Sequence, residues 1–132
     1  EAVSDADFDK WVKTTLVESA KSAIRDDDWT MKIALQRGQD LYGRYCAACH
    51  KRDGTGLPPT FPSLASSSVT VGASVARHID LVLQGVPNSA MQAFTPQLDD
   101  EELAAIVTYE RNAWGHNTGD LITPAQVQAQ RR

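Results

Sequence analysis

The sequence holds only two cysteines in 132 residues, and they stand three positions apart, at 46 and 49. A disulfide framework needs more cysteines at wider separations, so none is expected. Histidine is scarce as well: His50, His78 and His116 are the three. With one cysteine pair and so few histidines, a four-ligand structural zinc site is not expected. No apolar run approaches the length that spans a bilayer. Residues 1–5 have neither a basic start nor an apolar signal core. They fit a mature secreted protein or a soluble piece of a longer chain. No stretch alternates apolar and polar residues as half-buried strands do. The net charge of −4 argues against a nucleic-acid partner.

What is present is helical periodicity. Phe8, Trp11, Val12 and Leu16 follow Ser4 on one side of a helix, with Asp7 placed to complete a capping box. The pattern fades at Asp26, Asp27 and Asp28. Residues 1–29 therefore read as an arm whose apolar face needs a neighbour, and residues 30–132 as the main domain. A second helix is expected from near Thr30 to about Ala47. A third runs from Ser74 to Gln84, with Gly85 as its stop. A fourth starts at Asp99, with Glu102 in capping-box position. The acidic run 99–102 suits the positive end of that helix better than a docking surface. The loops 54–72 and 85–97 are rich in Gly, Pro and Ser. Such long loops need something to pack on, and a large apolar cofactor supplies it.

Cys46-Ala47-Ala48-Cys49-His50 is the C-x-x-C-H pattern of covalent haem attachment. On one helical turn both thiols face the same side and reach two vinyl groups on one porphyrin edge. His50 then meets the iron from one face. A thioredoxin-like pair would open a helix in a βαβ pattern, which is not visible. One covalent haem c per chain is thus expected. Met91 sits in the polar loop 86–94, where a core-filling methionine is less expected. Its thioether is a soft, neutral donor that favours ferrous iron, and it is the candidate for the opposite face. Met31 is poorly placed for that role. His78 is expected to be an ordinary surface or packing residue, and His116 a solvated loop residue. A fixed His50/Met91 pair argues against a peroxidase or gas sensor, whose chemistry needs an open iron face.

These features resemble class I cytochromes c over most of the span from Gly38 to Tyr109. The resemblance implies an all-α fold of helices around one covalent haem. It implies that Gly38 and Tyr42 cross the C-terminal helix at Ile106 and Tyr109. It also implies that the Pro62 carbonyl accepts a hydrogen bond from His50, and that Leu64 packs on the porphyrin. A narrower resemblance is to the cytochrome c domain fused to subunit II of bacterial haem–copper cytochrome c oxidases. The runs 46–64, 78–85, 90–94 and 105–115 carry it, with 117–120 and 124–127 in the tail, while residues 1–12 resemble the end of the preceding copper domain.

That likeness implies a single-electron carrier rather than an enzyme in isolation. It would lie on the periplasmic side of the inner membrane, in a membrane-anchored parent. It would take electrons from a donor cytochrome or quinol-oxidising complex. It would pass them to the copper domain and catalytic subunit of the oxidase. The copper ligands of that parent are absent, so no copper is expected here. A free-standing periplasmic carrier is the alternative. His116 stands where that family is expected to carry Asn. Lys51 and Arg52 are expected near the haem edge. Tyr45, Trp114, Arg77 and Arg111 are candidate propionate partners.

Overall fold

A computed structural model describes residues 28–89 and 91–131, so the amphipathic pattern at 4–16 lies outside the described residues. Those residues form α1 (Met31–Tyr45), α2 (Ala47–His50), α3 (Val75–Gln84), α4 (Asp100–Asn112) and α5 (Pro124–Gln130). Among them, one isolated bridge pairs Leu57 with Phe61. None of their helices is long and apolar enough to cross a membrane.

The helices begin where a side chain can satisfy a free backbone N–H. Thr30 accepts from the Ile33 amide at 3.2 Å, and Ser74 accepts from the Arg77 amide at 3.2 Å. Asp99 and Glu102 form a reciprocal capping box at α4, with bonds of 2.8 and 3.0 Å. Each such cap stabilises its helix by about 1 kcal/mol. The rest of the acidic run is also engaged: Asp100 pairs with Arg131 at 2.6 Å and Glu101 with Arg37 at 3.1 Å. The first helix ends two residues earlier than expected. Cys46 departs from helical geometry at φ −118°, and the chain then resumes as α2. The hydrogen bonds carry through the break, from Cys46 N to Tyr42 O and from His50 N to Cys46 O, both 2.9 Å. Thus 46–50 remains one helical turn. The helix α5 was not expected. Its signals are the Thr123–Gln126 capping box and Pro124 at the first position.

The centre of the fold is the crossing of α1 and α4. A Cβ on Gly38 would collide with the Ala105 carbonyl oxygen and come within 2.7 Å of Tyr109 Cβ. Only glycine lets the two backbones lie this close. The approach falls on Ala105 and Tyr109, one helical turn apart, whereas Ile106 beside them is fully buried. Tyr42, one turn after Gly38, sets its ring 5.4 Å from that of Tyr109. From Leu103 to Thr108, α4 is wholly inaccessible. Ile79, Val82 and Leu83 of α3 and Val127 of α5 join the same core.

Trp29 belongs to this core. It is 3% exposed, and its indole donates to the Ile122 carbonyl at 2.6 Å. The Ile122 amide in turn donates to the Thr108 hydroxyl at 3.0 Å. The start of the domain is therefore tied through one residue to both α4 and the C-terminal segment. Trp29, the last residue of the expected arm, has its indole buried among the core side chains.

Two substitutions test this account by chemical denaturation. Gly38→Ala should lose about 1–3 kcal/mol through overpacking, despite the better helix propensity of alanine. Trp29→Ala should lose about 3–5 kcal/mol, as expected of a truncated core aromatic.

Candidate functional site: the Cys46–His50 turn and its supporting loops

The end of α1 delivers Cys46 and Cys49 as unpaired thiols, the first buried and the second half-buried. Burial pushes the Cys46 thiol well above its ordinary pKa, with smaller contributions from the Glu110 and Cys49 charges. His50 Nδ1 lies 2.9 Å from the Pro62 carbonyl oxygen. A carbonyl can only accept, so Nδ1 carries the proton and Nε2 keeps its lone pair for a metal.

The loop after His50 is folded so that Pro62 comes back over that turn. The Gly54 carbonyl accepts from Leu64 N at 2.7 Å and Ala65 N at 2.9 Å. Gly56 N donates to the His50 carbonyl at 2.9 Å, and Leu57 and Phe61 exchange bonds of 2.8 and 2.9 Å. Gly54 has φ +73°, and a Cβ there would meet the Trp114 ring at 2.7 Å. Trp114 Nε1 donates to the Arg52 carbonyl at 2.8 Å. Tyr42 donates its phenol to the Lys51 carbonyl at 2.7 Å. Lys51 takes the left-handed φ of 64° that this turn requires. With ψ 159° it lies outside the left-handed helical region, in a conformation that costs a non-glycine residue roughly 1–3 kcal/mol, and the Tyr42 bond helps to hold it. Trp114 stacks edge-on against Tyr42 at 5.2 Å and Tyr109 at 5.7 Å. Burial raises both phenols above their usual range, and for Tyr42 the Glu110 charge adds to it.

The segment therefore gathers Cys46, Cys49, His50, Pro62 and Leu64 in one hydrogen-bonded unit. Pro62 is exposed, while Leu64 is half-buried against the core. Met91 comes from the separate loop after α3, and it too packs half-buried against the core. Val86 N donates to the Met91 carbonyl at 3.1 Å, and Met91 N to the Ser89 hydroxyl at 3.1 Å. Phe94, 4% exposed, fastens the end of that loop to Val82 O. Met31 is the first residue of α1, at the opposite end of that helix from Cys46.

Of the other two histidines, His78 takes the packing role of its two alternatives, and His116 differs from expectation. His78 is 2% exposed and its Nε2 lies 2.7 Å from Glu110 Oε1. Its Nδ1 faces the Arg111 guanidinium at 3.3 Å. His116 is not solvated: it is half-buried, with ring nitrogens 3.1 Å from the Glu110 carbonyl and 2.8 Å from the Ala65 carbonyl. Arg111 is buried and donates to Asp120, Val69 O, and the Gly72 carbonyl. Its donors, and the indole N–H of Trp114, are thus spent within the protein rather than presented to an acidic ligand. Tyr45 and Arg77 are exposed, as are Lys51 and Arg52.

Two free thiols on one turn, an imidazole fixed by a carbonyl, and half-buried Leu64 and Met91 suit a porphyrin held covalently and ligated through nitrogen and sulfur. Such a site, among the five helices of the described residues, is of the kind a small cytochrome carries. Residues 33–109 match the family model described as cytochrome c oxidase, cbb3-type, subunit III, and the chain belongs to that cytochrome c family.

The chain is similar to the cytochrome c subunit of alcohol dehydrogenase (quinone) from Gluconobacter oxydans (strain 621H), at 30% identity over 126 residues. That match covers 85% of this chain and 26% of the subunit, so the chain spans about a quarter of its length. Cytochrome c-552 of Thermus thermophilus is 29% identical over 64% of this chain and 65% of its own. Cytochrome c-554(548) of Halomonas halodenitrificans is 36% identical over 54% of this chain and 87% of its own. The all-α class I cytochrome c fold, a covalent haem c and electron transfer are therefore properties of this domain.

The raised Tyr42 phenol has a consequence for stability. Because its folded pKa exceeds the ordinary 10.0, its contribution is complete below about pH 10 and is lost as pH rises toward the folded value. Tyr42→Phe should cost about 1–2 kcal/mol near neutrality by orphaning the Lys51 carbonyl. It should also flatten the alkaline fall of the melting temperature, measured by thermal unfolding across this range.

Proposed function

We propose that Cys46 and Cys49 attach the haem, that His50 and Met91 ligate its iron, and that the domain relays single electrons to the binuclear copper centre of a terminal cytochrome c oxidase. The observation that carries the ligand assignment is the 2.9 Å bond from His50 Nδ1 to the Pro62 carbonyl. It fixes the ring, directs Nε2 outward and strengthens it as a donor. Leu64 supplies apolar contact beside that turn, and the Met91 loop supplies a sulfur donor. The haem, when bound, contributes a one-electron couple between ferrous and ferric iron. A ligand set that stays bound in both states keeps the rearrangement small. Covalent attachment to two cysteines is chemistry of the extracytoplasmic side, which supports a periplasmic location for the working protein. Its partners in this reading are a donor cytochrome or quinol-oxidising complex, and the copper domain and catalytic subunit of the oxidase.

A second reading is favoured by the relatives that are cytochrome c subunits of dehydrogenases. In it the domain accepts electrons from a dehydrogenase's catalytic subunit. Stopped-flow mixing separates the two. Rapid oxidation of the ferrous domain by a soluble oxidase copper domain supports the first. No such transfer, together with rapid reduction by a quinone-dependent alcohol dehydrogenase, supports the second.

Met91→His tests the sulfur ligand. The variant should stay low-spin, lose the weak far-red sulfur-to-ferric-iron band, and show a substantially lower potential, since imidazole favours ferric iron more than thioether does. An unchanged band and potential would remove Met91 from the ligand set.

A further inference from the structure

We propose that His116 is a positioning residue for the haem-ligand loop, acting as a proton-dependent clamp between the end of α4 and the segment that carries Pro62. This rests on the reading that His50 ligates the haem.

Both ring nitrogens of His116 face main-chain carbonyl oxygens: Nδ1 that of Glu110 at 3.1 Å, Nε2 that of Ala65 at 2.8 Å. Carbonyls only accept, and a neutral imidazole has one N–H, so the two bonds coexist only in the imidazolium. The backbone is bent to bring the ring there. Trp114 and Gly115 both take left-handed conformations, with φ of 56° and 86°, and the His116 amide closes the turn on Ala113 O at 2.8 Å. A left-handed tryptophan is uncommon and costs free energy, so the surrounding contacts must hold it. They do: its indole is bonded to Arg52 O and its ring meets that of His116 edge-on at 5.8 Å.

Ala65 is the residue where the clamp acts on the ligand loop. Its carbonyl is taken by His116 and its amide by Gly54 O, which also takes Leu64 N. Pro62, three residues earlier, accepts the His50 bond. Loss of a proton from His116 removes one of its two bonds and one positive charge from the elements that support the haem ligand. The other charged or titratable groups on the packed elements are already committed or exposed. Glu110 and Arg111 of α4 pair with His78 and Asp120. Tyr42 donates to Lys51 O, and Asp53 accepts from Thr55. Tyr109 stacks on Trp114, and Arg52 is exposed.

The test compares the haem-loaded protein with His116→Phe, which keeps the ring packing and removes both donors. Amide exchange followed by NMR should speed up about tenfold at Leu64 and Ala65 while that of α1 and α4 is retained. The potential of the wild-type protein should step down as pH rises, because loss of the His116 cation favours ferric iron, and this step should vanish in His116→Phe. Equal exchange in the two proteins, or a pH step that survives the substitution, overturns the proposal. If the variant fails to mature, the wild-type protein decides. The His116 ring nitrogen signals and the Ala65 exchange should then change at the same pH, and a ring titration without a change at Ala65 overturns it. A low-spin spectrum with the far-red sulfur-to-ferric-iron band reports separately on the iron ligands, so failure of the clamp and failure of the ligand assignment are distinct results.

Discussion

The contact of Gly38 with the backbone of α4 sets the distance on which the site depends. Because no side chain separates the helices there, Tyr42 reaches both Tyr109 and Trp114. Its phenol then reaches past the end of α1 to Lys51 O, the first carbonyl after the C-x-x-C-H turn. A wider crossing would carry the aromatic cluster away from Gly54 and leave the Lys51 turn without its support. The haem motif sits at the end of α1, so an error in the crossing would be transmitted to it along a rigid helix.

The loops that complete the site contain little regular structure, and they are held by main-chain carbonyls rather than by salt bridges. Gly54 O takes two amides, Arg52 O takes an indole, Pro62 O takes an imidazole, and Ala65 O takes another. Net hydrogen bonds of this kind contribute about 1 kcal/mol each, but leaving one of these groups buried and unpaired costs more. The arrangement therefore gives specificity of position more than bulk stability. Bulk stability comes from the wholly buried face of α4 and from Trp29, which joins the first and last parts of the domain. The ion pairs confirm the division: the exposed Arg44–Asp40 pair is worth little, whereas the buried His78–Glu110 and Arg111 group organises α3 against α4.

Most of the helices were legible in the sequence because capping chemistry is local. Ser74, Asp99 and Gly85 each mark a boundary by what one side chain, or the lack of one, does to the adjacent backbone. The same logic would have found α5 from Thr123, Pro124 and Gln126. The Cys46–His50 turn was legible because its spacing is chemical. The fates of His78, Glu110, Arg111 and His116 were not. Each is fixed by a partner 32 or more positions away, or by a turn whose left-handed tryptophan no propensity announces. The bond of Trp29 is of the same kind, since its partner Ile122 lies 93 positions along the chain.

The central claim is that one haem is held covalently by the turn from Cys46 to His50. Mass spectrometry of protein matured with a c-type haem attachment system, after acid–acetone extraction and proteolysis, tests it most directly. The account predicts a single haem added per chain, carried by the peptide that contains both Cys46 and Cys49. A chain of apoprotein mass after extraction, with both thiols free to alkylate, would contradict it.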